Sequence, residues 1–64
     1  MTGPEFATFL REVEWSKAQA SRYLGVDQRT ILRLKKRARV SGPIAVLCKV
    51  IRTYPEVREL VEHF

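Results

Sequence analysis

Apolar residues recur along the chain at helical spacing, in five short segments separated by clear stops. In the first segment Phe6, Phe9, Leu10 and Val13 follow the i, i+3, i+4, i+7 spacing that places four side chains on one face of a helix. Strand-like alternation of apolar and polar residues is absent. The pattern predicts an all-α fold of five helices, the first of which covers residues 4–14.

The second segment has both a start signal and a stop signal. Ser16 can accept a hydrogen bond from a free N–H of the first turn, and Gln19 can reach back to the Ser16 N–H, which together make a capping box. Trp15 and Ala20 stand at the positions of a hydrophobic staple around this cap, so we expect Trp15 in the core. Gly25 suits the left-handed backbone that ends a helix.

A third helix is predicted to start after Asp27, which has the chemistry of an N-cap, and to run to about residue 37. Only a very short turn then joins the second and third helices. Ser21 lies four residues before Gly25, where the two helix backbones are expected to approach closely and a small residue is needed. The expected inward side chains of this pair are Ala20, Leu24, Val26, Ile31 and Leu34.

Two further helices are predicted after a loop at residues 39–43. Ser41 or Gly42 caps the fourth helix, whose first turn holds Pro43, and Pro55 begins the fifth. The inward positions predicted for the fourth helix are Ile44, Leu47, Cys48 and Ile51. In the fifth helix, Val57, Leu60, Val61 and Phe64 stand at helical spacing.

The charge of the chain is concentrated in its middle third. With 64 residues the chain is predicted to be a single domain, residues 1–64, with one small core. The net charge is +5, and residues 16–39 hold eight lysines and arginines against one acidic residue. The segments before and after carry no positive excess. Such a local excess indicates an anionic partner at one site.

Several kinds of chemistry are not expected from this composition. One cysteine and one histidine supply neither an intramolecular disulfide nor a structural zinc site. No catalytic triad or glycine-rich phosphate loop is visible, so we expect no enzyme, cofactor or metal. The longest apolar run, IAVLC, is far shorter than the roughly 20 residues of a membrane span, and no signal peptide is visible. We therefore expect a soluble cytoplasmic protein, associated with the nucleoid when bound to DNA.

Two helices joined by a glycine-containing turn, the second strongly basic, are typical of a helix-turn-helix DNA-binding unit. The sequence WSKAQASRYLGVDQRTILRLKKR, residues 15–37, resembles the LSQAELARLLGVSRRTVRRWERG pattern of the lambda-repressor-like, or Cro/C1-type, family. GPIAVLCKVIRTYPEVREL, residues 42–60, is similar to the end of the DNA-binding half of certain two-domain antitoxins and of small phage regulators. The resemblance implies a five-helix DNA-binding domain that acts as a homodimer. Ser21 replaces the family's usual alanine, and Ala38 stands where the third helix often ends in glycine.

The third helix is expected to enter the major groove of DNA with Gln28, Arg29, Leu32, Arg33 and Lys36 facing outward. Gln28 can pair with adenine, and Arg29 and Arg33 can pair with guanine. Leu32 either lies against a thymine methyl group or packs on a neighbouring helix. The residues expected to contact phosphate are Lys17, where the resembled family often has a phosphate-contacting glutamine, and Thr30, Lys35, Lys36, Arg37 and Arg39.

The expected function is sequence-specific binding of double-stranded DNA by a transcription regulator. We expect a repressor that binds an inverted repeat as a homodimer, with half-sites about one helical turn, roughly 34 Å, apart. The dimer contact is expected at Val46, Val50, Val57 and Phe64, which offer apolar surface. The alternative is an antitoxin-like or adaptor module that binds another protein, with DNA binding secondary. RNA or an anionic membrane is disfavoured because aromatic residues do not interleave with the basic ones and the basic helix lacks a free bulky apolar face.

Overall fold

Five α-helices make up the part of the chain that the computed structural model describes, residues 1–40 and 42–63. They are α1 (Gly3–Glu12), α2 (Lys17–Leu24), α3 (Gln28–Lys36), α4 (Pro43–Thr53) and α5 (Pro55–His63). No strand occurs in these residues, so the predicted all-α class with five helices is confirmed. Two positions used in the predictions, the possible cap Ser41 and Phe64 of the fifth helix, lie outside the described residues.

Side-chain caps fix where the first helices start. The capping box predicted for α2 is present, because the Gln19 N–H donates to Ser16 Oγ and Gln19 Oε1 accepts from the Ser16 N–H. An equivalent box joins Thr2 and Glu5 at the start of α1. Each box satisfies two backbone donors that a helix start would otherwise leave without partners.

A turn of three residues, from Gly25 to Asp27, joins α2 to α3. Gly25 is left-handed (φ 71°, ψ 29°), as the sequence predicts for the end of α2. The N–H groups of Gly25 and Val26 both donate to the Ser21 carbonyl, at 3.1 and 3.2 Å. The Ser21 hydroxyl donates to the Val26 carbonyl in return. Ser21 therefore joins the turn to α2 as both acceptor and donor of hydrogen bonds, in addition to being small.

The first helix ends two residues earlier than predicted, at a left-handed residue that is not glycine. Glu14 has φ 59°, its N–H donates to the Arg11 carbonyl, and the Trp15 N–H donates to the Leu10 carbonyl. This pair of bonds is the Schellman arrangement that closes many helices. Because glutamate rarely adopts positive φ, no local feature of the sequence signals this stop.

The core lies where α1, α3 and α4 meet and is built from apolar side chains. Trp15 is 6% exposed, with the Phe9 ring edge-on at 5.8 Å and the Tyr23 ring at 4.9 Å between centroids, so its predicted core role is confirmed. Leu60, which stands at helical spacing with Val57 and Val61, lies outside this core, with its side chain 69% exposed. The buried core consists of Phe6, Phe9, Leu10, Val13, Trp15, Ala20, Ile31, Leu34, Val40, Cys48 and Ile51.

The N-terminus of α1 abuts the C-terminus of α3. The Gly3 N–H donates to the Arg37 carbonyl at 2.9 Å, and the Val40 N–H donates to the Met1 carbonyl at 2.6 Å. Positive and negative helix ends thus face each other, an arrangement that helix dipoles favour. No left-handed residue ends α3, because Arg37 is extended (φ −75°, ψ 147°). The N-terminal segment therefore holds the end of α3 in place and brings Val40 into the core.

One carboxylate joins α5 to the rest of the domain. The Trp15 indole Nε1 donates to Glu62 Oε2 at 2.6 Å, and Arg58 Nε lies 3.2 Å from the same oxygen. The Arg58 guanidinium also donates to the Val13 carbonyl. Through these bonds α5 is tied to the segment that connects α1 and α2.

The Glu62 contacts predict a pH dependence of stability. The indole hydrogen bond, followed by that from Arg58, holds the pKa of Glu62 below its ordinary value of 4.5. A carboxyl group with a lowered pKa in the folded state stabilises the fold above its unfolded-state pKa and loses that effect as the pH falls through its folded-state pKa. In urea unfolding, we expect wild type to lose more stability below about pH 4.5 than Glu62→Gln does. Glu59→Gln, on the exposed side of the same helix, is the control and should lose stability with falling pH as wild type does. If the stability of Glu62→Gln falls with pH in parallel with that of wild type, the Glu62 contacts are not the cause of the pH dependence.

Candidate nucleic-acid interface

The third helix has one buried side and one basic side. Ile31 is fully buried and Leu34 is 6% exposed, and both face the core. With about 100° between successive residues, the opposite side carries positions i, i+3, i+4 and i+7 of the same helix. That side, which we term the basic face, consists of Arg29, Leu32, Arg33 and Lys36, all of them exposed.

The cations of the middle third have no carboxylate partners within ion-pair distance in the described residues. The ion pairs found there join Arg52 to Glu12 at 3.4 Å and Arg58 to Glu62 at 3.2 Å. Neither pair involves a base from residues 16–39. The positive potential of this segment is therefore left to act on an external anion.

Asp27 occupies the N-terminal end of α3. Its carboxylate accepts the Thr30 N–H at 2.7 Å, and this bond, helped by the nearby charges of Arg29 and Arg33, lowers the pKa of Asp27. The Thr30 backbone donor is thus already used inside the protein. Gln28, the first residue of α3, is exposed next to this cap. Any contact that Thr30 makes with an external phosphate would have to come from its partly buried hydroxyl group.

The predicted phosphate contacts are spread over three places. Lys17 is exposed at the first position of α2, which packs against α3. Lys36 belongs to the basic face, whereas Lys35 is half-buried at its flank. Arg37 and Arg39 are exposed in the segment that follows α3. Along α3 and the residues after it, the structure therefore brings the predicted base contacts together with most of the predicted phosphate contacts.

Leu32 lies at the centre of the basic face. It is 43% exposed, and it belongs neither to the buried core nor to the partly buried residues packed on the core. Leu32 is therefore not part of the core, and its contact with a thymine methyl group stays a prediction. An apolar side chain surrounded by cations remains available for contact with another molecule.

The residues predicted for a dimer contact do not form one exposed surface. Val46 is 63% exposed, whereas Val57 is half-buried and packs on the chain's own core. Val50 is half-buried, and Phe64 lies outside the described residues. Among the large apolar side chains of the described residues, Leu60 is the most exposed, and its helical spacing fits either side of α5.

Other chemistry finds little support in the described residues. Burial raises the pKa of the Cys48 thiol to about 11, as expected of an unreactive core cysteine. Within residues 1–40 and 42–63 no three His, Cys, Asp or Glu side chains lie close enough together to hold a metal ion. No helix in the same residues has the length and apolar character needed to cross a membrane.

No protein-family model, curated protein or solved structure matches this chain. The resemblance of residues 15–37 to Cro/C1-type proteins therefore stays a prediction from the motif residues. The function has to be argued from the geometry and charge of α2 and α3.

Proposed function

We propose that this protein is a sequence-specific double-stranded DNA-binding transcription regulator in which α2 and α3 act as a helix-turn-helix unit. The observation that carries the proposal is the basic face: three exposed cations on one side of a helix, without carboxylate partners in the described residues, opposite two core residues. A side chain on this face does not have to leave the core or break an ion pair to reach a ligand.

The dimensions of α3 suit the major groove. An α-helix with its side chains is about 10–12 Å in diameter, and the B-DNA major groove is roughly 12 Å wide and admits one helix. The buried face of α3 rests on α1 and α2, so the helix would be presented as a rigid element. Rigid presentation lowers the conformational entropy lost on binding.

Two kinds of contact are proposed for this surface. Gln28, Arg29 and Arg33 would read base edges, with Leu32 against a thymine methyl group. The other predicted cations would contact phosphate and set the position of the protein on the duplex. We propose that the output is repression through occlusion of a promoter in the cytoplasm.

A single copy of α3 spans only a few base pairs, so we propose that two copies bind an inverted repeat with half-sites about 34 Å apart. Within the described residues, Val46 is the exposed member of the predicted dimer set. Val46→Asp should weaken binding to a full repeat and leave binding to an isolated half-site unchanged. Equal loss on both DNAs would remove Val46 from the dimer contact.

The experiment that tests the function is selection of bound sequences from a random duplex pool. The proposal expects enrichment of a palindromic sequence, and a binding constant for the selected duplex that falls linearly with salt on a logarithmic plot. Scrambled duplex of the same composition is the control and should bind at least about 10³-fold more weakly. Flat enrichment, or equal affinity for the scrambled duplex, would contradict sequence-specific regulation.

Lys36→Ala should weaken binding to every duplex by a similar factor. Loss of one phosphate contact releases about one fewer counterion, so the slope of log affinity against log salt should become shallower by about one. Lys49→Ala removes the same charge from an exposed position on α4 and is the matched control. If both variants change the slope equally, Lys36 has no specific phosphate contact.

The second candidate function is that of a protein-interaction module, antitoxin-like or adaptor-like. The observation that favours it is the exposure of Val46 (63%) and Leu60 (69%), two aliphatic side chains that a protein partner could cover. The duplex selection separates the two functions. A protein-interaction module would show weak, sequence-independent DNA binding, and substitutions on the basic face would not change its sequence preference.

A further inference from the structure

The outward side of α5 is acidic around an apolar centre. Val57 and Val61 pack on the core, whereas the opposite side carries four exposed residues that line one shallow surface. We term this surface the acidic face; it consists of Glu56, Glu59, Leu60 and His63. Its leucine is more exposed than the one on the basic face, at 69% against 43%.

The two faces have the same spacing and matching chemistry. Each carries its four residues at i, i+3, i+4 and i+7, so each forms one stripe on its helix. When the two stripes are laid together in antiparallel orientation, the two leucines face each other and two pairs of opposite charges face each other. The pairs are Leu32 with Leu60, Arg33 with Glu59, Lys36 with Glu56 and, at the end of the contact, Arg29 with His63.

Orientation matters for this match. In a parallel arrangement Leu60 would face Arg33, and Leu32 would face Glu59. Each leucine would then remove water from a charge, which costs free energy. The antiparallel arrangement avoids this cost and also places the two helix dipoles in the favourable opposite sense.

We propose that the acidic face of one copy docks on the basic face of a second copy. The faces belong to different helices of the same chain and both point to solvent, so the contact joins two copies head to tail. A head-to-tail contact leaves one unused face at each end and allows further copies to add. The partner is another copy of this chain because charge and apolar positions match residue by residue.

The contact has a regulatory consequence that rests on the proposed function. Leu32, Arg33 and Lys36 would be covered by the second copy, so self-association and DNA binding would exclude each other. Operator DNA would dissociate the assemblies, and high protein concentration would lower the apparent affinity for DNA.

The test uses two double variants and sedimentation velocity. Glu59→Gln with Leu60→Gln removes the acidic face, and Leu32→Gln with Arg33→Gln removes the basic face; all four positions are exposed, so unfolding midpoints should stay at the wild-type value. Wild type should associate at concentrations up to about 1 mM, less at about 0.5 M salt than at about 0.05 M. In a Val46→Asp background, which removes the proposed dimer contact, each double variant alone should be at least about tenfold weaker in self-association than the Val46→Asp parent. An equimolar mixture of the two should form a 1:1 heterodimer and nothing larger.

Other results overturn the proposal. A monomeric wild type, or a mixture that stays monomeric, excludes the contact. If the variant without the basic face self-associates as the Val46→Asp parent does, the contact instead joins two acidic faces or lies elsewhere. DNA binding is measured separately. Self-association as expected without selective DNA binding would support the contact and contradict the proposed function. Selective DNA binding without this self-association would support the proposed function and contradict the contact.

Discussion

Replacing Gly3 by alanine is expected to destabilise the domain by about 3 kcal/mol, because a Cβ at this position has no room. It would overlap the Arg37 carbonyl oxygen and would lie 2.6 Å from that of Lys35 and 2.9 Å from that of Leu34. All three are backbone atoms at the end of α3, so relief requires the two helix ends to separate. Separation would also break the hydrogen bond from the Gly3 N–H to Arg37 and expose Val40.

Gly25→Ala is the control, because a Cβ added at Gly25 would meet no atom within 4 Å. Its left-handed backbone (φ 71°, ψ 29°) should limit the cost of alanine to about 1 kcal/mol. Urea unfolding of the two variants and wild type measures the difference. A loss for Gly3→Ala no larger than that for Gly25→Ala would show that α1 does not hold the end of α3 by this close contact.

Neither Gly3 nor Val40 can be assigned from the sequence. Gly3 has the local features of a helix cap, and the residue whose carbonyl it touches lies 34 positions further along the chain, at Arg37. Val40 stands in a predicted loop between basic and turn residues, and it is 1% exposed. Both assignments depend on how α1 is placed against α3, and periodicity within one helix carries no information on that placement.

Local chemistry, by contrast, determines most of the helix starts and stops. The capping box of Ser16, the left-handed Gly25 and the cap of Asp27 involve residues no more than five positions apart, and the structure contains all three. Glu14 is the exception, because glutamate rarely adopts the left-handed conformation that it has here, directly before the buried Trp15. The bond from Trp15 to Glu62 spans 47 positions and is likewise beyond the reach of local sequence patterns.

The candidate site is largely predictable because α3 has a strong two-sided pattern. Ile31 and Leu34 fix the inward direction, and the outward residues then follow from the helical period. On α5 the pattern is ambiguous, since Leu60 shares one stripe of the helix with Val57 and Val61 and another with Glu56, Glu59 and His63. In the structure the two valines pack on the core and Leu60 is exposed.

Arg33→Ala is expected to lower affinity for the selected operator by about 1 to 3 kcal/mol, roughly 5- to 150-fold, and to relax preference at one base pair. Arg33 is exposed on the basic face next to Leu32, and it forms no ion pair with the described residues. Its truncation should leave the fold intact, because no core contact is lost. Binding to operators with each base substituted in turn measures the loss of preference, and unfolding of the free protein checks stability.

Arg33→Lys separates base reading from simple charge. Lysine keeps the positive charge but lacks the planar pair of donors that fits guanine O6 and N7. If Arg33 reads a base, the lysine variant should keep the salt slope of wild type and still lose most of the preference at that base pair. If it contacts phosphate, lysine should restore binding on every sequence, and Arg33→Ala should weaken all duplexes equally. The lysine variant therefore decides between the two roles, because only base reading depends on the shape of the guanidinium group.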